Sequence, residues 1–291
     1  MDESESIFWR NVALKITQQV EKAINQLIGK KEAGEIIKMG ADGTPTKLID
    51  LVAENEVISV LEGVSRQVLL ISEEIGELEI GNEIEPISGE NKIINPDSKI
   101  VFVVDPLDGT SNAIKNIPAF GISIAVAEYS SKNDSAHLND IQMGFVKNFA
   151  TGDFFEALKG KGAFLNGEKI HPSSLSELSS SCLGIFIYGN SPDMINNLSQ
   201  QIRRMRIMGS VAIELCYVAN GAYDAFVDIR NNLRVIDIAA SQLIISESGG
   251  KVSDTEGIPL NSLLKINERT SIVAAGNNKL HDELIKTMEV I

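Results

Sequence analysis

Six consecutive residues, Asp105-Pro106-Leu107-Asp108-Gly109-Thr110, carry the densest chemistry in the chain. They follow an apolar run at 100–104 that reads as a buried strand. A turn after such a strand can aim Asp105 and Asp108 at one point, with Pro106 and Gly109 holding the backbone and the Leu107 carbonyl between them. Donors that are all oxygen suit a hard divalent cation such as Mg²⁺. Beyond the turn, the N–H groups of Gly109 and Thr110 open a helix, where an anion such as a phosphate is well placed. A capped turn alone would need neither the second aspartate nor its fixed spacing.

Two acids hold a cation weakly, so further ligands must come from distant parts of the chain. Ser72-Glu73-Glu74 closes a strand predicted at 67–71, and strand ends of open α/β sheets meet ligands. Asp237 lies in the first turn of a helix reading Val235-Ile236-Asp237-Ile238-Ala239-Ala240. Each has a plainer reading beside this one: Glu73 and Glu74 as solvated strand-end charges, Asp237 as an acid offsetting the helix dipole.

The elements that must position these residues follow from periodicity. Apolar residues at three-to-four spacing predict a helix over 7–28. After a loop at 34–44, a second helix runs from Thr46, its cap, to Leu61, with Asp50 in its first turns. The polar stretch 76–98 reads as a long hairpin or mobile arm, and the strand at 99–104 is expected to stop at Pro106. Strands are predicted at 121–128, 141–147, 152–157, 182–187, 203–207, 222–227 and 271–275. Helices are predicted after Pro192, after Gly209, over 234–248 up to Gly249-Gly250, and at the end of the chain. Mixing of this kind predicts a layered α/β (mixed α+β) fold. No repeat or linker divides 1–291; any subdivision would fall near residue 175.

Composition limits the functions available. The chain has 291 residues, with 26 Lys and Arg against 40 Asp and Glu, a net charge of −14. That balance argues against nucleic acid as a partner. It would also repel a phosphate ester unless a bound cation masked the acids locally. The opening MDESESIFWR lacks a basic segment followed by an apolar one, and no apolar run could span a bilayer, so neither secretion nor a membrane is expected. Cys182 and Cys216 sit in apolar surroundings and are too few for a disulfide framework, which points to the cytoplasm. His137, His171 and His281 are scattered and read as surface or packing residues.

Taken in order, Lys47 with Asp50, Ser72-Glu73-Glu74, Asp105 through Thr110, Gly209-Ser210-Val211-Ala212 and Ile236-Asp237-Ile238-Ala239-Ala240 resemble the inositol monophosphatase family, whose superfamily includes fructose-1,6-bisphosphatases. Gly160-Lys161-Gly162-Ala163-Phe164 extends the resemblance, which covers nearly the whole chain. It implies an αβαβα sandwich and hydrolysis of a small phosphorylated sugar or cyclitol with two to three Mg²⁺ per site. Glu73, Asp105 and the Leu107 carbonyl would hold one ion; Asp105, Asp108 and Asp237 a second; Glu73 a third through water. Thr110 would position the attacking water, with Asp50 accepting from its hydroxyl. Substrate contacts are implied at Gly109, Thr110, Ser111, Gly209, Ser210, Arg230 and Asp237, and the family implies a homodimer or larger homo-oligomer.

Departures from the family pattern bear on substrate. Ile236 replaces a common aromatic residue, Ser241 a common glycine, and the segment between Glu73 and Asp105 is long. Seven residues before Asp237, where inositol-preferring members often carry an acid, stands Arg230. With Arg234 and the cluster Arg203, Arg204 and Arg206, it could accommodate a second phosphate, as in archaeal-type enzymes of dual activity, or these arginines could pair surface acids. The other readings are a phosphatase of 3′-phosphoadenosine 5′-phosphate or NADP, and a silent phosphometabolite-binding homologue. An aspartyl-nucleophile phosphatase would want its second acid two positions on, and Asp108 is three positions after Asp105. No P-loop, Gly-x-Ser-x-Gly or His-Glu-x-x-His motif is present.

Overall fold

The computed structural model describes residues 1–81, 98–130, 135–186 and 192–289. Among them the elements run α1 (Glu3–Ile24), β1 (Ile36–Met39), β2 (Pro45–Lys47), α2 (Leu48–Glu62), β3 (Val68–Ser72), β4 (Gly76–Ile80), β5 (Ser98–Asp108), α3 (Thr110–Lys115), β6 (Gly121–Ser130), β7 (Ile141–Asn148), β8 (Phe154–Leu158), β9 (Gly162–Leu165) and β10 (Glu168–Lys169). They continue β11 (Cys182–Ile185), α4 (Pro192–Gln201), β12 (Arg204–Arg206), α5 (Val211–Ala219), β13 (Ala225–Arg234), α6 (Val235–Ser248), β14 (Lys251–Ser253), β15 (Arg269–Ala275) and α7 (Asn278–Glu289). An eight-stranded sheet has the order β10-β9-β8-β7-β6-β5-β3-β4, and a five-stranded sheet the order β12-β11-β13-β15-β14. No helix among the described residues is long and apolar enough to cross a membrane.

Alternation along the strands builds the layers. In β5, Phe102 and Val104 join a core with Trp9, Ile16 and Val20 of α1 and Ile49 and Val57 of α2. Val101 and Val103, pointing the other way, join Ile213 and Leu215 of α5 and Ile236 and Ile244 of α6. That second core also takes Phe226, Ile272 and Ala274 from the smaller sheet. The smaller sheet's far face (Ala225, Val227, Val273) packs on Leu198 of α4 and Leu280 and Leu284 of α7. Helix, sheet, helix, sheet, helix is the expected αβαβα sandwich. A strand buried on both faces needs apolar residues at successive positions, which is why 100–104 shows no polar alternation.

One close approach sets the position of α6. A Cβ on Gly144 of β7 would meet the Ala240 carbonyl at 2.6 Å. The Ala239-Ala240 pair and Gly144 therefore let the helix lie on the sheet, carrying Asp237 with it.

Four expectations need correction. Strand β5 does not stop at Pro106: it runs to Asp108 through a register shift between Asp105 and Asp108, so the proline sits inside a bulge. Strand β13 does not end at Val227. It continues to Arg234, with a register irregularity between Asp228 and Leu233 and Asn231 at φ 52°. Its polar tail hid it from a reading of apolar runs. The cap of α2 is Lys47, whose N–H donates to Asp50 at 3.1 Å, while the Thr46 hydroxyl donates to Glu74. Helix α1 begins four residues early, at Glu3, because Asp2 accepts from the Glu5 N–H. Of the arm expected at 76–98, residues 76–80 form β4, antiparallel to β3, and 82–97 lie outside the described residues.

Candidate active site

The parallel neighbours β3 and β5 end side by side, placing Glu73 next to Asp105. The Leu107 N–H donates to Asp105 Oδ1 at 3.1 Å, which folds the bulge back on itself. Gly109 then turns the chain at φ 83°, where an added Cβ would lie 2.6 Å from the Ala119 carbonyl, so glycine is required. Thr110 and Ser111 open α3, a helix of only six residues. Its N–H groups rather than a long dipole would face an anion there.

Behind this turn stands α2. The Thr110 hydroxyl lies 2.7 Å from Asp50 Oδ1 and 3.1 Å from the Leu107 carbonyl. One proton cannot serve both, and the shorter, charge-assisted bond to the carboxylate is the stronger. Burial raises Asp50 to about 6, against the Thr110 and Lys47 hydrogen bonds that lower it. Above that pH Asp50 holds the Thr110 proton and leaves the hydroxyl's lone pairs free to accept.

The motif at 209–212 serves Asp108. Ser210 is fully buried, and its hydroxyl donates to Asp108 Oδ2 at 2.7 Å; the Ala212 N–H donates to the same oxygen at 2.8 Å. Asp108 thus caps the N-terminus of α5, where burial still raises its carboxyl against these two hydrogen bonds. The Ser210 side chain, expected as a substrate contact, has its hydroxyl turned onto Asp108, which it positions. Glu214, also fully buried, accepts from the Met208 and Gly209 N–H groups at 3.0 Å each and holds the loop that leads into α5.

Burial raises Glu214 from the ordinary carboxylate range to about 7, with the Asp108 charge adding to it. A carboxyl raised in this way favours the fold while protonated. Its stabilisation is complete below pH 4.5 and is lost as pH rises through 7. Glu214→Gln, which keeps the acceptor oxygen, is expected to stabilise the chelator-treated protein by roughly 2–3 kcal/mol at pH 8 and hardly at all at pH 5. Denaturant titrations at the two pH values check this; equal shifts at both would remove Glu214 as the source.

Asp237 arrives on the first turn of α6, and the acids meet at one guanidinium. Arg234 Nε lies 3.0 Å from each Asp237 oxygen, its Nη1 lies 2.8 Å from Asp42 and also bonds Glu73, and its Nη2 is 4.0 Å from Asp105. Burial pushes Glu73 and Asp237 up despite Arg234, and Asp105 well up, with Glu73, Asp108 and Asp237 adding repulsion. Asp42 goes the other way. The Thr44 amide and hydroxyl and Arg234 outweigh its burial and lower it. The resulting cleft, about 560 Å³, is lined by five acids (Asp42, Glu73, Asp105, Asp108, Asp237) and by Lys47, Arg230, Arg234 and Arg269, with Leu107, Gly109, Thr110, Ser111 and Gly209.

The donor set fits a hard divalent ion. It is all oxygen, and Asp105 Oδ2 is buried without a hydrogen-bond partner. As they stand, among the described residues, no three acids close on one point, because the Arg234 guanidinium lies between them.

Asp42 and Arg269 line the cleft and were missed from the sequence; Gly40-Ala41-Asp42-Gly43 reads as a solvated turn, and Arg269 belongs to no motif. Arg230 lines the cleft, paired with Asp228 at 2.6 Å and stacked 5.1 Å over Phe186. Arg203, Arg204 and Arg206 do not line it: they are exposed on and beside β12, the outermost strand of the smaller sheet.

A five-layer sandwich with converging carboxylates at strand ends belongs to the class of layered sugar-phosphate phosphatases. The inositol monophosphatase family model matches residues 6–291, and the chain belongs to that family. A fructose-1,6-bisphosphatase/inositol-1-monophosphatase of Methanothermobacter thermautotrophicus is 54% identical over all 291 residues, covering 100% of both chains. A bifunctional NADP phosphatase/NAD kinase of Methanocaldococcus jannaschii is 39% identical over 94% of this chain and 49% of its own length. Among solved structures, a Pyrococcus horikoshii protein described as similar to inositol-1 monophosphatase superposes with TM-score 0.78 at 33% identity, covering 96% of this chain and 98% of its own.

Proposed function

We propose that the protein is a Mg²⁺-dependent phosphomonoesterase of inositol 1-phosphate and fructose 1,6-bisphosphate, working as a cytoplasmic homodimer or larger homo-oligomer. The observation that carries this reading is that Glu73, Asp105, Asp108 and Asp237 line one cleft, around Arg234 and beside the Thr110–Asp50 hydrogen bond. Glu73, Asp105 and the Leu107 carbonyl would hold one ion, and Asp105, Asp108 and Asp237 a second, with Glu73 reaching a third through water. Bound there, the ions would neutralise phosphate charge, acidify a water and stabilise the leaving alkoxide. The chain itself does the rest. Asp50 accepts the Thr110 hydroxyl's hydrogen bond, so the Thr110 oxygen is free to accept from a water and point that water's lone pair at phosphorus for in-line attack. N–H groups at Gly109, Thr110 and Ser111 face the phosphoryl oxygens, and Arg230 faces the remainder of the substrate.

Phosphate release with Mg²⁺ from inositol 1-phosphate, fructose 1,6-bisphosphate, NADP and 3′-phosphoadenosine 5′-phosphate tests the reading. The first two are expected to be turned over fastest. Preference for NADP would favour the second reading, which the similarity to NADP phosphatases supports. No release from any would sink both. Thr110→Val keeps the shape of the side chain and loses the oxygen; kcat is expected to fall about 100-fold with KM little changed.

A further inference from the structure

We infer that Arg269 sorts substrates by gripping a second anionic group, a phosphate remote from the reacting one, and so favours bisphosphates over monophosphates of neutral polyols. This role presupposes the phosphatase activity proposed above and names the residue that gives it selectivity.

Three arginines line the cleft, and they differ in how their charge is used. Arg234 is surrounded by Asp42, Glu73 and Asp237. Arg230 is bonded through Nε and Nη2 to the two oxygens of Asp228 and lies over Phe186. An anion reaching either must compete with a carboxylate already in place. Arg269 is different. Its Nη1 donates to the carbonyls of Ile266 at 2.9 Å and Glu268 at 3.1 Å, and among the described residues it forms no ion pair. Neutral carbonyls fix the plane of the guanidinium without cancelling its charge. The fork is therefore held ready for a dianion, with little ordering left to do on binding.

Its place in the sheet gives it access to the same cleft from another element. Arg269 is directly opposite Arg234 in the β13–β15 ladder, so the two side chains leave the sheet on one face. The Asp105–Thr110 turn supplies the other wall. A substrate spanning the cleft with its reacting phosphate against that turn would bring its far end to the wall that carries Arg269. In a chain of net charge −14, a guanidinium in no salt bridge among the described residues, sharing the cleft with Asp237 but not bonded to it, is the feature that a second phosphate would find and a bare hydroxyl would not.

The test is the ratio of kcat/KM for fructose 1,6-bisphosphate to that for inositol 1-phosphate, with Mg²⁺, in wild type, Arg269→Gln and Arg269→Lys. Arg269→Gln is expected to lower the ratio about 10–100-fold, the loss falling on KM for the bisphosphate. Arg269→Lys, which keeps the charge and loses the fork, is expected to retain part of it. An unchanged ratio overturns the assignment. So does an equal loss for both substrates, which would mean that Arg269 touches the shared phosphate or merely holds the 266–268 loop. If wild type releases phosphate from neither ester, the parent phosphatase reading has failed instead.

Discussion

Asp105→Asn is expected to lower kcat/KM about 1,000-fold or more while making the chelator-treated protein more stable, not less, at pH 8. The two effects have one origin. Asp105 is 1% exposed, and burial together with Glu73, Asp108 and Asp237 holds its carboxyl well above the ordinary range. Asparagine is nearly isosteric and keeps an acceptor for the Leu107 N–H, so the bulge at the end of β5 survives. It replaces Oδ2, the buried oxygen without a partner, by a neutral N–H₂ that can donate but cannot ligate a cation. Losing one shared ligand removes several kcal/mol of charge stabilisation in the transition state. Removing one of four mutually repelling acids relieves the fold when no cation is added. Phosphate release at saturating Mg²⁺ and melting in a chelator read the two signs separately. Near-wild-type turnover would refute the assignment of Asp105, and a lower melting temperature would show the aspartate to be structural.

Such a substitution can be designed at all because function and fold were legible in the sequence to different degrees. The Asp105–Thr110 turn was readable because everything it needs is local: a strand, two acids at fixed spacing, and a glycine forced into positive φ. The layering was readable from the mixture of strands and helices, and its αβαβα order came with the family resemblance. Asp237 and Glu73 were ambiguous taken alone, because an acid at a helix N-terminus or strand end has a sufficient local reason to be there. Only the ordered set of motifs raised them above that. Asp42 was invisible for the opposite reason: a Gly-Ala-Asp-Gly turn looks solvated, and Arg234, 192 positions away, brings it to the cleft. Gly209-Ser210 was read as facing substrate, and the Ser210 hydroxyl supports Asp108 from behind. A motif records that a position matters to the site without recording which side of the site it occupies. Glu214 did leave a signal that went unread: a single acid in the apolar run Val211-Ala212-Ile213-Glu214-Leu215-Cys216 must be buried with a task.

Arg234→Met is expected to tighten divalent-cation binding while destabilising the chelator-treated protein. In the present arrangement the guanidinium makes three contacts with Asp237 and one each with Asp42 and Glu73, and it approaches Asp105. Any ion drawing on Glu73, Asp105 and Asp237 must displace those contacts, so the measured affinity contains the cost of breaking them. Methionine fills similar volume and carries no charge. Without the arginine the acids face one another uncompensated, and loss of one partner from a buried ion network costs about 3–5 kcal/mol. A divalent cation then relieves that repulsion instead of competing with an internal cation, and the apparent Kd is expected to fall about 10–100-fold. Acidification would shrink both effects, since protonated carboxyls neither repel one another nor hold an ion. Calorimetric or electron-paramagnetic titration with Mn²⁺ at pH 8, paired with denaturation in chelator, separates the two signs. Were Arg234 instead part of the ion's supporting shell, its loss would weaken binding, and an unchanged Kd would mean that guanidinium and ion use different oxygens.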